Sequence, residues 1–355
     1  MLVLAVETSC DETSVALVDS DASVANRVMA HTIRSQIALH QATKGVVPEV
    51  AARAHLDLLA PAYHQIMHNV DLEQVDAIAA TIGPGLIGGL LVGSSFAKSL
   101  SLASGKPFVA VNHLAGHAPS VRLSDDVPFP YLMLLVSGGH CQILVVEGVG
   151  QYRRWGTTID DAVGEAFDKV GRLLELPYPG GPHLETLAQK GNPSAFALPH
   201  PMVGRPGCDF SFSGLKTAVY RQIEKQSKPL SYKERADLAA SFQAAVVASL
   251  QDRVHNAVRA FVKDYGVGLS LAVVGGVAAN KSIRNALCDL AHQADMSFVA
   301  PPIELCGDNA AMIGWAAAEH FHAGGGPSPL DELCRPRYPL DPHAPRSRFA
   351  GAVKA

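Results

Sequence analysis

Apolar and polar positions fall along this chain in blocks that repeat. Residues 2–6 are continuously apolar, the pattern of a strand covered on both faces. A polar stretch, 7–14, separates them from a second apolar run at 15–18, which predicts a strand, a polar tip and a returning strand. The same figure recurs with 131–136 apolar, Ser137-Gly138-Gly139-His140 at the tip, and 141–146 returning. Val136 lies 129 positions after Glu7, and the recurrence predicts an internal duplication.

Between the hairpins the period switches back and forth. Residues 48–68 predict a helix kinked or broken near Pro61, 76–82 a strand, 86–104 a helix, 108–112 a short strand and 113–122 a short helix. After the second hairpin, helices are predicted at 161–174 and 180–190. A polar, Pro- and Gly-containing stretch follows at 192–213, then long helices through Tyr265. A strand at 270–274 runs into Gly275-Gly276 and a helix beyond Asn280. A last short strand holds Phe298 and Val299, and a helix spans about 308 to 320. The Pro-rich tail, 324–355, is expected to wrap the surface. Strand and helix in alternation imply a layered α/β protein.

Composition narrows the class. With 355 residues, 48% hydrophobic and 17% charged, the chain can bury about two domains' worth of core and is not a disordered polymer. Its 29 basic against 33 acidic residues exclude nucleic-acid binding by bulk charge, so any such contact needs a local patch. Arg221, Lys225, Lys228, Lys233 and Arg235, against Glu224 and Glu234, form one candidate. The six cysteines have no C-x-x-C spacing and read as reduced thiols of a cytoplasmic protein. Residues 1–6 lack a basic leader and Glu7 interrupts them, which favours a strand over a secretion signal. No apolar run approaches membrane-spanning length, so no membrane role is expected.

The candidate chemistry lies at the junctions. His113 and His117 are four apart in Asn112-His113-Leu114-Ala115-Gly116-His117, so one helix face can bring both imidazoles to one ion. Spacing alone does not decide this, because His64 and His68 share it. Position after a strand adds weight, and a distant Asp or Cys would complete the site, Asp308 among them at the head of a helix in the other half. The H-E-x-x-H pattern of zinc peptidases is absent. Gly83-Pro84-Gly85, Ser137-Gly138-Gly139, Pro179-Gly180-Gly181-Pro182 and Gly275-Gly276 each sit at a turn where backbone N–H groups can face an anion. Together they suggest a nucleotide held between two halves, without a Walker or Rossmann phosphate loop. Asp11 and Glu12 at the first hairpin tip can hold a metal or take a proton, and Asp168 can receive ribose hydroxyls.

Eight segments, in order, resemble one family: Glu7-Thr8-Ser9-Cys10-Asp11-Glu12-Thr13, Gly83-Pro84-Gly85, the His113–His117 segment, Val136-Ser137-Gly138-Gly139-His140, Pro179-Gly180-Gly181-Pro182, Phe212-Ser213-Gly214-Leu215-Lys216-Thr217, Gly275-Gly276-Val277-Ala278-Ala279-Asn280 and Asp308-Asn309-Ala310-Ala311-Met312-Ile313. The chain is similar over nearly its whole length to the TsaD family of tRNA threonylcarbamoyladenosine synthase catalytic subunits. The resemblance implies the duplicated actin-like/sugar-kinase/Hsp70 ATPase (ASKHA) fold, with lobes at 1–128 and 129–355, a central cleft and a helical insertion at about 192–265. It implies transfer of a threonylcarbamoyl group from L-threonylcarbamoyl-adenylate to N6 of adenosine 37 in tRNAs reading codons that begin with A. Kinase-like ATP hydrolysis is not the main reaction on this resemblance. His113, His117 and Asp308 would hold one divalent metal ion, iron (Fe2+) favoured and zinc (Zn2+) the alternative. Leu135, Val136, Ser137, Gly138, Gly139, Asp168, Gly181 and Asn280 would hold the adenylate, and Glu12 is the candidate for proton removal. The implied partners are tRNA, an inactive paralogous subunit (TsaB-like) and a small ATPase (TsaE-like). Ala115 stands where the family often has glutamate, Cys141 follows the Ser-Gly-Gly-His turn and Gly307 precedes Asp308. A metallopeptidase and a nucleotide-gated scaffold are the rival readings.

Overall fold

The computed structural model describes residues 1–43 and 45–345. Two five-stranded sheets form its frame. The first comprises β1 (Leu2–Glu7), β2 (Glu12–Asp19), β3 (Val28–Ser35), β4 (Ala77–Gly83) and β5 (Phe108–Asn112), in the order β3-β2-β1-β4-β5. The second comprises β6 (Tyr131–Val136), β7 (Cys141–Gly148), β8 (Gln151–Thr157), β9 (Ser270–Val274) and β10 (Ser297–Val299), in the order β10-β9-β6-β7-β8. Each sheet has the same plan. Its first strand lies between an antiparallel hairpin partner and a parallel neighbour, and each of these leads to an edge strand. The duplication read from the hairpins is therefore a duplication of whole sheets.

Central strands are apolar on both faces because both faces are covered. Val3 and Ala5 of β1 pack with the helix Ala310–His322, whereas Leu4 and Val6 pack with the helices Pro48–Ile66 and Ile87–Ser104. In the second sheet Leu132, Leu134 and Val136 face a large helical layer that includes Tyr232–Tyr265. Tyr131, Met133 and Leu135 face Leu114, Ala118 and Val121. The short helix His113–His117 thus sits between the two sheets.

Several expectations change. The helix Pro48–Ile66 continues through Pro61 without a break. The polar tip at 7–14 is half strand, since Glu7 closes β1 and Glu12 opens β2. Thr13 and Ser14 are buried there because their hydroxyls find partners, Thr13 on His55 and Ser14 on the Thr32 carbonyl. The predicted helix at 113–122 is two pieces, His113–His117 and Ser120–Ser124. The helix Ala310–His322 packs on β1 and β2, so the chain returns to the first sheet after building the second. The tail then runs along the first sheet: Ser328 N–H donates to the Phe108 carbonyl and Arg335 N–H to that of Ile82. It ends against the second sheet, where Asp341 accepts from the Arg154 N–H at 2.9 Å. Residues 346–355 of the expected wrap lie outside the described residues. No disulfide links any of the six cysteines, and no helix among the described residues is long and apolar enough to cross a membrane.

Candidate active site

A cleft of about 860 Å³ opens between the sheets. Turns at the ends of central strands supply its walls: Ser9 to Glu12 after β1, Pro84 to Leu86 after β4, Ser137 to His140 after β6 and Gly276 after β9. Helices starting at Ile87, Val163, Gly180 and Lys281 have their first turns beside these walls, so their positive ends face the cleft. Gly275 permits the β9 turn. Its φ is +93°, and a Cβ there would lie 2.4 Å from the Val136 carbonyl oxygen.

The two histidines meet Asp308 at one wall. Asn112 caps their helix by accepting from the N–H groups of Leu114 at 2.9 Å and Ala115 at 3.3 Å. That cap fixes where the helix starts, and so where His113 and His117 point. Asp308 is fixed from the other side. Asn309, fully buried, caps the helix Ala310–His322 by accepting from Met312 N–H at 3.0 Å, and it donates to the Gly307 carbonyl at 2.8 Å. The next residue, Ala310, donates its N–H to Ser14 Oγ at 2.9 Å, which ties this corner to β2. Asp308 Oδ1 is 3.4 Å from His113 Nε2 and 3.2 Å from His117 Nε2. One ligand atom from each residue falls within a set spanning 4.8 Å. The expectation that Asp308 opens a helix of the second half is corrected, because that helix packs on the first sheet.

Glu7 is the site residue that sequence reasoning missed. Its Oε2 lies 3.0 Å from His113 Nδ1. An ionised carboxylate only accepts, so Nδ1 carries the hydrogen and Nε2 is left facing Asp308. Ser9 N–H at 2.6 Å and the Thr81 hydroxyl complete the Glu7 partners. Burial disfavours its charge, but the pull of His113 and its hydrogen bonds hold Glu7 below its ordinary value. Burial likewise opposes charge on His113, yet Asp308 and Glu7 together raise it well above an ordinary imidazole. Burial dominates at His117 and lowers it. Asp308 is half-buried, and although desolvation opposes its charge, His113 and His117 hold it well below the usual carboxylate range. His117 Nδ1 is buried with no hydrogen-bond partner among the described residues. Two imidazoles, a carboxylate on one point and a carboxylate behind the first imidazole form a donor set that fits a divalent metal ion. His113 and Asp308 line the cleft, so a fourth position would face it. The missing glutamate at Ala115 is thus not needed to orient His113.

The remaining predicted residues divide. Glu12, Ser137, Gly138, Gly139, Asp168, Gly181 and Asn280 line the cleft. A Cβ added at Gly138 or Gly139 would meet no protein atom within 4 Å, so the space above that turn is cleft. Burial, then repulsion from Asp11 and Asp308, raises Glu12 well above an ordinary glutamate. Leu135 and Val136 do not reach the wall; both are fully buried, on opposite faces of β6. Asp168 Oδ1 accepts the Gly180 N–H at 2.7 Å and so pins the Pro179-Gly180-Gly181 corner while the side chain lines the cleft. Asn280 is mostly buried. It caps Lys281–Gln293 through Ile283 N–H at 3.0 Å and donates to Gln243 Oε1 at 3.0 Å. The basic stretch is weaker than its composition, because Lys233 pairs with Asp237 and Arg235 with Glu175.

Two duplicated lobes closing on a cleft with a His-His-Asp triad define an ASKHA-class protein with a metal-type site. Similarity in fold agrees: HypF from T. kodakarensis superposes with a TM-score of 0.58 at 17% identity, over 91% of this chain and 48% of that one. The chain thus spans about half the length of HypF. The family model described as "TsaD: tRNA N6-adenosine threonylcarbamoyltransferase" matches residues 27–315. A protein of that name from Rhodospirillum rubrum is 54% identical over 99% of this chain and 98% of its own length. Another from Brucella anthropi is 53% identical over 96% of each chain. The chain belongs to the TsaD family.

Proposed function

We propose that this chain transfers the threonylcarbamoyl group of L-threonylcarbamoyl-adenylate to N6 of adenosine 37 in tRNAs that read codons beginning with A. One observation carries the reading: in a chain of this family, His113, His117 and Asp308 converge at the wall of a cleft built from phosphate-ready turns.

The acceptor amine is a poor nucleophile, because its lone pair is delocalised into the purine. Rate must come from placement and from carbonyl activation. N6 attacks the carbamoyl carbon, a C–N bond forms, the bond from that carbon to the phosphate oxygen breaks, and AMP leaves with the electron pair. The N–H groups of Gly138 and Gly139 and the helix N-termini at Val163 and Gly180 would receive the developing phosphate charge. Asp168 and Asn280 act by holding the Gly180 and Lys281 helix starts in place, with Gly181 on the wall between them. Glu12, on the wall near Asp308, is the carboxylate placed to take the N6 proton. His113, His117 and Asp308 would hold one divalent ion, Fe2+ favoured over Zn2+, which when bound supplies a Lewis acid and an anchor for the acyl group.

Family membership supports the remaining parts of the proposal: lobes divided near residue 129, apart from the returning helix Ala310–His322, with a helical insertion at 192–265, an inactive paralogue and a small ATPase as partners, and a cytoplasmic location beside tRNA. The curated relatives compared all carry the transferase name, which supports neither a metallopeptidase nor a silent scaffold. The test is reconstitution with purified adenylate, unmodified tRNA and partners, read by nucleoside mass spectrometry. Wild type should form the modified nucleoside and a folded His117→Ala chain should not. Undiminished transfer by His117→Ala after metal removal would sink the reading.

A further inference from the structure

A second concavity, of about 600 Å³, lies on the outer side of the long helix Tyr232–Tyr265 and shares no residue with the cleft. A loop at 204–207 faces the helix there and is fastened to it. Asp252 accepts from the Gly204 N–H at 3.2 Å and from Arg253 Nε at 2.8 Å. Arg253, fully buried, donates to the Gly207 carbonyl at 3.1 Å, and Asn256 donates to the same oxygen at 2.9 Å. Asp252 and Arg253 cancel each other's charge. Three cations then remain on the lining, Arg205 from the loop and Arg259 and Lys263 from the helix. All three are exposed, and among the described residues none has a carboxylate partner. Cations held around a fastened concavity, without counter-charge, are a site for an anion.

We infer that this concavity binds backbone phosphates of the tRNA outside the catalytic cleft, an inference that rests on the function proposed above. Two spacings favour a polynucleotide over a small anion. Arg259 and Lys263 are one turn apart, about 6 Å along the helix, a pitch suited to successive phosphates of one strand. Arg259 also stands about 24 Å along the same helix from Gln243, whose side chain holds the cleft residue Asn280. A folded tRNA covers that span with its acceptor base in the cleft; a free phosphate or a mononucleotide does not. Phosphate contacts of this kind position a nucleic acid without reading its sequence.

The test measures binding of unmodified tRNA to the full-length, metal-loaded chain by fluorescence anisotropy, from about 50 to 200 mM salt. R259E/K263E should bind about tenfold more weakly at the low-salt end, with the slope of log affinity against log salt smaller by about two. Should that chain fail to fold by circular dichroism, R205S on the loop reads the same patch, with a slope change of about one. Unchanged affinity and slope would overturn the inference. So would calorimetric binding of inorganic phosphate that the variant loses while its tRNA affinity stays at the wild-type value. Transfer assays on wild type separate the two readings. Transfer with unmoved tRNA binding in the variant ends the phosphate site alone. Weakened tRNA binding with no transfer by wild type ends the proposed reaction and leaves the site.

Discussion

His113 Nδ1 lies 3.0 Å from the Glu7 carboxylate, across 106 positions of chain. This contact fixes the tautomer and heading of the His113 ring from behind, leaving Nε2 for Asp308. Glu7→Gln keeps the shape and can still accept one hydrogen bond, but it removes the charge. Affinity for the divalent ion should fall about ten- to a hundredfold, with the fold intact. Competition titration with a chromophoric chelator measures it; affinity equal to wild type would show that Glu7 does not orient His113.

Asp168 separates pinning from charge. Asp168→Ala loses the acceptor for Gly180 N–H and frees the Pro179-Gly180-Gly181 corner. The Michaelis constant for the adenylate should rise about tenfold or more with kcat less affected, the cost of one charge-assisted hydrogen bond. Asp168→Asn retains an accepting oxygen and should recover most of the loss. A loss as large in Asn as in Ala would argue instead that the carboxylate charge meets the substrate.

Close packing behind the cleft gives a stability test. A Cβ at Gly93 would lie 2.1 Å from Thr8 Oγ1, and Thr8 precedes the cleft residue Ser9. Gly93→Ala should cost about 1–3 kcal/mol by overpacking. Gly214, exposed near the start of Ser213–Glu224, has nothing within 4 Å of a built Cβ. Gly214→Ala should gain about 0.4–1 kcal/mol. Urea midpoints moving in the same direction for both would contradict the contact.

Asp160 carries a pH dependence away from the triad. Its carboxylate accepts from Ser211 Oγ at 2.5 Å, Phe212 N–H at 2.8 Å and Ser213 Oγ at 2.9 Å. Half-burial opposes its charge, but these bonds hold it below its ordinary value. The ionised form therefore stabilises the fold fully above the unfolded value near pH 3.9. That contribution is lost as pH falls through the lower folded value. Denaturation curves from neutral pH to about pH 3 should fall less steeply for Asp160→Asn than for wild type. Parallel curves would remove Asp160 as a source of acid sensitivity.

What could be read from residues alone follows which forces are local. β1, β5, β6 and β9 are apolar runs covered on both faces, so their own composition announces them. The edge strands β3 and β8 went unread because both are largely uncovered, which puts His31 and Arg34, or Arg153 and Arg154, among their apolar residues. Glu7 to Ser14 looked like a turn because its polar side chains are satisfied only by distant partners such as His113 and His55. His113, His117 and Asp308 were legible from motif resemblance, whereas Glu7 reads in isolation as the end of an apolar strand. Asn280 was legible as a cleft residue but not as a helix cap bound to Gln243. Nothing local foretells that Ala310–His322 returns to the first sheet.

That return sets an order of events during synthesis. The residues of the first sheet leave the ribosome before those of the second, yet the helix covering Val3, Ala5, Ala16 and Val18 is made only after both. Until it emerges, one side of the first sheet stays uncovered, an apolar surface of the kind that makes partly folded chains prone to associate. Asp308 arrives with the same segment, so the cluster of His113, His117 and Asp308 is complete only as the first sheet is finally closed.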